Sequence, residues 1–253
     1  MDFTFKQFHI EQDKCAMKVG TDGVLLGSWA MGGKNILDIG TGTGLIALMM
    51  AQRFPDAHID AIEIDASAVV QAKENVLCSP FAKQITVKHC SLKTYSESGE
   101  KYDSVVCNPP YFADSLKNND DNRTIARHTD ALPFNDLMKC TYQLLTPDGH
   151  FSLILPIESY RIVEPEAILN GYSVIRKVLI KTTPSKQPKR ILVELGKAPG
   201  EYFFTTKCLQ DNAGNKSEWY KEITENFYLN RSFPKKPKRS YKIYNYKTAK
   251  LLL

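Results

Sequence analysis

The run Asn108-Pro109-Pro110-Tyr111 joins residue types that suit chemistry on a planar amine. Each proline fixes its own φ and removes an N–H, and Pro110 also biases the residue before it away from the helical region. The corner is therefore stiff, rich in carbonyl acceptors and poor in donors. Asn108 adds a side-chain oxygen as a further acceptor, and Tyr111 adds a flat aromatic face. Converging acceptors beside a stacking surface fit a planar ligand that carries an NH2 group. The same four residues also fit a rigid turn after a strand, so the surrounding elements have to discriminate.

The corner follows Tyr102–Cys107, a short β-branched apolar run that reads as a buried strand. A second such strand, Asn35–Ile39, runs into Gly40-Thr41-Gly42-Thr43-Gly44 and then a helical pattern from Leu45 to Arg53, stopped near Pro55. Strand, glycine loop and helix together make the βα turn of nucleotide-binding sheets. The spacing is G-x-G-x-G, and Leu45 stands where the dinucleotide fingerprint places its third glycine or alanine. With Asp38 just before the loop, an adenosyl ligand without a pyrophosphate fits better. His58–Asp65 is the next strand, and Glu63 lies at its end, about 20 residues after the glycines, where an acid accepts hydrogen bonds from ribose hydroxyls. The other reading of Glu63 is a solvent-facing charge at a strand terminus. Upstream, Thr21 or Asp22 can cap a helix that uses Val24, Leu25, Leu26 and Trp29. Gly20 and Gly23 beside them permit a backbone close to a ligand.

The rest of the chain supplies the frame. Phe3, Phe5, Phe8 and Ile10 alternate with polar residues as short extended structure. Ser67–Leu77 is helical, Ile85–Val87 is a third strand leading to Cys90-Ser91-Leu92, and Lys93–Lys101 reads as polar loop. Phe112–Asp130 is a long polar connection carrying Arg123, Arg127 and His128; connections of this kind act as lids or stay unstructured. Pro133–Leu145 is a helix, Thr146–Gly149 a turn, Phe151–Leu155 a fifth strand and Glu158–Leu169 a helix despite Pro165. Tyr172–Lys181 and Arg190–Gly196 read as an antiparallel pair ending the sheet, with Tyr202-Phe203-Phe204 extending an edge and Ser217–Leu229 a last helix. The βα alternation predicts an α/β fold: a doubly wound, mostly parallel sheet, helices on both faces and an antiparallel hairpin at one edge. The glycine loop, Glu63-Ile64, Ser91-Leu92 and Asn108 all follow successive strands, so they share one edge of that sheet.

The 253 residues suit one large domain or one domain with appendages. No apolar run approaches the roughly 20 residues that span a bilayer, and Met1–Lys6 shows no secretory leader. The six cysteines are scattered without a Cys-x-x-Cys, which is the usage of a reducing cytoplasm, and no Cys/His pair has metal-ligand spacing, so no metal is expected. The net charge of +5 is unevenly spread: residues 230–253 hold eight Lys or Arg and no acid, leaving 25 basic against 28 acidic residues in the body. The division expected is a single domain over 1–229 and a basic tail over 230–253. Such a tail favours phosphate-rich partners or is a solvated chain end.

Asp38-Ile39-Gly40-Thr41-Gly42-Thr43-Gly44, Glu63 and Asn108-Pro109-Pro110-Tyr111 together resemble the class I S-adenosylmethionine-dependent methyltransferases of Rossmann-like fold, and NPPY marks their amino-methylating branch. Phe5-Lys6-Gln7-Phe8, Cys15-Ala16-Met17-Lys18-Val19-Gly20-Thr21-Asp22-Gly23 and Ala126-Arg127-His128 narrow the resemblance to the bacterial family that methylates N6 of adenine 37 in valine tRNA. It implies a tRNA-modifying enzyme with S-adenosylmethionine as cofactor; the sequence itself does not reveal the oligomeric state, and a monomer is the favoured expectation. Thr21, Asp22, Asp38, Gly40, Thr41, Gly42, Gly44, Glu63, Ile64, Ser91, Leu92 and Asn108 would hold that cofactor. Asn108, Pro109, Pro110 and Tyr111 would be the catalytic corner, and Lys6, Arg127 and His128 RNA contacts. Many class I enzymes carry an acid after the third strand; Cys90-Ser91-Leu92 stands there instead. Protein glutamine N5-methylation and ribosomal RNA guanine N2-methylation use the same corner and are disfavoured by the N-terminal match. A nicotinamide-dependent enzyme is opposed by Leu45, and a non-catalytic RNA-binding module by the intact corner.

Overall fold

A computed structural model describes residues 2–109 and 132–229. Pro110, Tyr111, Arg123, Arg127, His128 and the basic tail lie outside those residues. An eight-stranded sheet carries the molecule. Its strands are β3 (Asn35–Ile39), β4 (His58–Glu63), β5 (Ile85–His89), β6 (Tyr102–Cys107), β7 (Leu145–Pro156), β8 (Ser173–Lys181), β9 (Arg190–Gly196) and β10 (Phe203–Cys208). They lie in the order β10-β8-β9-β7-β6-β3-β4-β5, and only β9 runs antiparallel to its neighbours. The chain winds outward from β3 through β4 to β5, then returns to the other side of β3 with β6. That reversal opens a crevice at the carboxyl ends of β3 and β6, the place where such sheets bind ligands.

Strand alternation divides the core into two layers. Ile36, Ile59, Ala61 and Val106 face α1 (Thr21–Trp29), α2 (Leu45–Arg53), α3 (Ala66–Leu77) and α7 (Glu218–Thr224). Leu37, Ile39, Ile62, Val105 and Cys107 face α4 (Leu92–Ser96), α5 (Phe134–Leu144) and α6 (Ile157–Leu169). Helix α2 is apolar all round because it lies between the sheet and α1; every residue from Leu45 to Ala51 is buried. The close approach of the two helices needs Gly27, where a Cβ would stand 2.8 Å from the Met49 sulfur. A small antiparallel pair, β1 (Phe3–Thr4) and β2 (His9–Ile10), seats Phe5 and Phe8 on the same layer.

Five local expectations are corrected or sharpened. Residues after Leu92 form the short helix α4, not a loop, because the Ser91 hydroxyl accepts from Thr94 N–H at 3.2 Å and Leu92 and Tyr95 are both buried. The Thr146–Gly149 turn is a bulge inside β7: pairing slips from Tyr102–Leu145 to Ser104–His150, and Gly149 allows close approach to the Tyr102 carbonyl. The antiparallel pair is not the last of the sheet: the edge extension expected from Tyr202 to Phe204 is realised as β10, which runs parallel beside β8. The last helix stops at Thr224 because Phe227 turns back into the core and its carbonyl accepts from Lys6 N–H at 2.8 Å. Helix α1 begins at Thr21 after Gly20, with no side-chain cap; Asp22 pairs instead with Arg190 of β9 at 2.9 Å.

On the α4–α5 face, Asp60 collects the Tyr102 hydroxyl at 2.6 Å, the Tyr95 hydroxyl at 2.8 Å and the Lys88 ammonium at 2.9 Å. Burial pushes its carboxyl up, but these donors outweigh it and leave the pKa below its ordinary value. The cluster ties β4, β5, β6 and α4 together beneath the crevice.

Candidate active site

The crevice is built from the carboxyl ends of β3, β4 and β6. After β3 the chain enters Gly40–Gly44, with Gly40, Gly42 and Gly44 at φ +66°, +54° and +83°. This left-handed region costs other residues roughly 1–2 kcal/mol each. A Cβ at Gly40 or Gly42 would meet nothing within 4 Å among the described residues, whereas one at Gly44 would meet Ala72 at 3.7 Å. The described residues therefore leave the space over the first two glycines open. The loop is pinned to β4, whose Ile62 carbonyl accepts from Gly40 N–H and Thr41 N–H at 2.9 and 3.1 Å.

Two carboxylates shape the loop. Asp38 is fully buried, and its Oδ2 accepts from the Thr41 hydroxyl at 2.6 Å and from Ala47 N–H at 3.1 Å. Its other oxygen has no hydrogen-bond partner among the described residues. Glu63, at the end of β4, turns toward the loop: Oε2 accepts from Gly42 N–H at 2.9 Å, and Oε1 from Ile64 and Asp65 N–H at 2.8 and 3.0 Å. Ile64 beside it is 55% exposed, an apolar side chain at the rim of the crevice.

Burial drives the Asp38 pKa from 3.8 to about 7, with Thr41 and Ala47 opposing the rise and Glu63 adding to it. The native state thus holds a proton that the unfolded chain has already lost. That contribution to stability is complete below about pH 3.8 and disappears as pH rises through about 7. Urea midpoints of the ligand-free protein should therefore fall across this window, and Asp38→Asn should flatten the fall. Asp60 titrates in the opposite sense and at lower pH, so the two contributions separate.

A polar strap missed in the sequence crosses the same edge. Residues 11–19 are bound to α3, where Asn75 accepts from Glu11 N–H at 2.9 Å and donates to the Glu11 and Thr43 carbonyls at 2.8 and 2.9 Å. Gln71 accepts from Lys14 N–H at 3.1 Å, and buried Gln12 accepts from Val19 N–H at 2.7 Å. Asn75 thereby joins the strap to the glycine loop. Two amides four residues apart among Ala68, Ala72 and Val76 were the available signal, since buried amides need partners. The strap brings the Met17 sulfur to 4.0 Å from the Asn108 side-chain nitrogen. It also places Cys15 near Glu63; burial first, then that charge, pushes the thiol up to about 11.

Asn108 is half-buried and Pro109 buried, directly after β6. Since Cys107 pairs with Ile39, Asn108 stands at the same level as Gly40, across one strand spacing. The corner and the glycine loop are therefore neighbours. The other expected residues divide. Leu92 gives its side chain to the core, and the Ser91 hydroxyl is engaged at the start of α4. Thr21 is exposed at the start of α1, and Lys6 places its ammonium on the Glu225 carbonyl. An open concavity lined by Gly32, Arg53, Phe54 and Pro55 lies at the opposite end of β3 and has no part in this site.

The model of the Methyltransferase small domain matches residues 20–153, from the start of α1 to within β7. A tRNA1(Val) (adenine(37)-N6)-methyltransferase of Parabacteroides distasonis is 46% identical over 231 residues, covering 90% of this chain and 97% of that protein. Relatives of the same name from Bacteroides thetaiotaomicron and Aliivibrio fischeri are 46% and 43% identical, each over 90% of this chain and 97% of theirs. The chain belongs to the tRNA1(Val) (adenine(37)-N6)-methyltransferase family. Among solved structures, a predicted O-methyltransferase of Agrobacterium tumefaciens superposes with a TM-score of 0.66 at 18% identity, covering 84% of this chain and 100% of that one. A glycopeptide N-methyltransferase complexed with S-adenosylmethionine gives 0.51 at 14% identity, over 72% and 90%. Both show the fold. As a family member the chain is a methyltransferase, and its glycine loop, Glu63 and Asn108 all fall inside the matched domain.

Proposed function

We propose that this chain transfers a methyl group from S-adenosylmethionine to the exocyclic N6 of adenine 37 in valine tRNA. The observation that carries the reading is the adjacency of the Asn108-Pro109 corner and the glycine loop at the switch point of the sheet. The cofactor fits the residues present. Among the described residues, Gly40 and Gly42 leave room over their backbone, Asp38 keeps an oxygen without a partner, and Glu63 and Ile64 offer a carboxylate and an apolar side chain at the rim. Asp38, Gly40, Thr41, Gly42, Gly44, Glu63 and Ile64 would hold it, with Thr21 and Asp22 at the start of α1 bordering the site. When bound, S-adenosylmethionine supplies an electrophilic methyl on a sulfonium.

The adenine amine is a weak nucleophile because its lone pair is delocalised into the ring. Two acceptors, the Asn108 side-chain oxygen and the Pro109 carbonyl, would take its two N–H groups and stabilise positive charge developing on nitrogen. The same contacts aim the lone pair, and positioning of this kind supplies several kcal/mol. Tyr111 would stack on the base, which leaves its neighbours more cheaply in a single-stranded loop than in a duplex. The released proton goes to water. We take 1–229 as the methyltransferase domain and 230–253 as a basic appendage that adds electrostatic attraction to RNA. Arg127 and His128 rank ahead of Lys6 as RNA contacts, because the Lys6 ammonium already serves the end of α7.

The test is transfer from labelled cofactor to tRNA that lacks the modification, followed by nucleoside analysis and mapping. N6-methyladenosine at position 37 of valine tRNA is the expected product. Methylated glutamine in a protein, or N2-methylguanosine in ribosomal RNA, would contradict it.

A further inference from the structure

We propose that the β8–β9 hairpin loop is an RNA-backbone contact, with Lys186 and Lys189 neutralising phosphates of the substrate tRNA beside the Asn108 corner. The inference rests on the proposed function and adds a surface that the methyltransferase-domain match, ending at residue 153, does not reach.

Topology puts the loop at the reacting edge. Because β8 runs parallel to β6, its carboxyl end, and hence the loop over 182–189, emerges on the same side as Asn108. Cys107 pairs with Leu153, while Arg190, the first residue of β9, pairs with Pro156. The base of the hairpin therefore stands two residues, about 7 Å, beyond the level of Asn108, and two strand spacings, about 10 Å, to its side. The loop rises further still. It forms a wall beside the corner within reach of nucleotides that flank a base held there.

Its chemistry suits phosphate. Residues 181–190 contain Lys181, Lys186, Lys189 and Arg190 and no acid, in a body where acids outnumber bases. Arg190 is committed to Asp22 at 2.9 Å and Lys181 to the Pro184 carbonyl at 3.0 Å, which leaves the other two for a ligand. Lys186 and Lys189 are exposed, and neither pairs with a carboxylate among the described residues. The loop is also preorganised. Pro184 and Pro188 stiffen it, and Lys186 N–H and Lys189 N–H donate to the Thr183 and Ile180 carbonyls at 3.1 and 3.0 Å. The Arg190–Asp22 pair anchors its base to α1, next to the glycine loop. A charged loop held in one shape loses little entropy on binding.

The test compares full-length wild type with K186E/K189E on unmodified valine tRNA, reading RNA affinity across a salt series, cofactor affinity and steady-state methylation. The double variant should bind tRNA at least about tenfold more weakly, with the slope of log K against log salt shallower by about two. KM for tRNA should rise while turnover at saturating tRNA and the cofactor dissociation constant hold, and K186R/K189R should behave as wild type. An unchanged affinity and slope in a variant that binds cofactor normally would overturn the proposal while leaving the tRNA reading intact. A wild type that neither binds nor methylates the tRNA would overturn both.

Discussion

Asn108→Ala lowers the rate of methyl transfer at saturating substrates by about 10²–10³-fold, the cost of removing one preorganised group that stabilises developing charge. The cofactor dissociation constant stays within about threefold of wild type, because the lost contact is made to the target amine and strengthens in the transition state. Asn108 stands at the end of β6 with the buried Pro109 behind it, so its truncation removes a polar group at the rim and opens no cavity in the core. Calorimetry with the cofactor and single-turnover methylation separate the two effects. A parallel loss of cofactor affinity and rate would mean that Asn108 supports the cofactor rather than the amine.

Gly42→Val is the mirror case. At φ +54° a β-branched residue is a backbone outlier, and the substitution also disturbs the N–H that donates to Glu63. Its Cβ would meet no atom of the described residues within 4 Å, so the side chain projects away from them over the loop. Cofactor affinity should fall at least about 100-fold, equivalent to about 2.7 kcal/mol. Gly44→Ala provides the control. It carries comparable strain at φ +83°, but its Cβ lies in ordinary contact with Ala72, and its cofactor affinity should fall by no more than about tenfold. Equal losses in the two variants would show that the loop's glycines serve only its shape and that the space above Gly42 holds no ligand.

The parts of this architecture that local physics dictates were readable in the chain. The bounds of β3, β6 and α2 follow from apolar runs punctuated by Gly40–Gly44 and Pro109, and the shared carboxyl edge follows from βα alternation. What escaped depends on contacts far apart in sequence. Nothing near Lys6 announces that its ammonium ends on Glu225, 219 residues away. Leu92 looks like a rim residue until α4 turns it into the core. Asp22 reads as a cap until β9 brings Arg190 to it. The strap is the instructive omission. Gln12, Gln71 and Asn75 are buried polar residues whose side-chain oxygens accept from backbone N–H groups of irregular chain, a pattern without period or motif. Pro110, Tyr111, Arg127 and His128 lie outside the described residues, and their roles rest on the resemblance that the relatives support.

The most direct test of the central claim is a structure of the enzyme with a non-reactive cofactor analogue and an anticodon stem-loop carrying adenine 37. The account predicts the adenine N6 within about 2.6–3.2 Å of the Asn108 side-chain oxygen, on the line from the position of the transferable methyl. An N6 held elsewhere, or an analogue seated away from Gly40–Gly44, would contradict it.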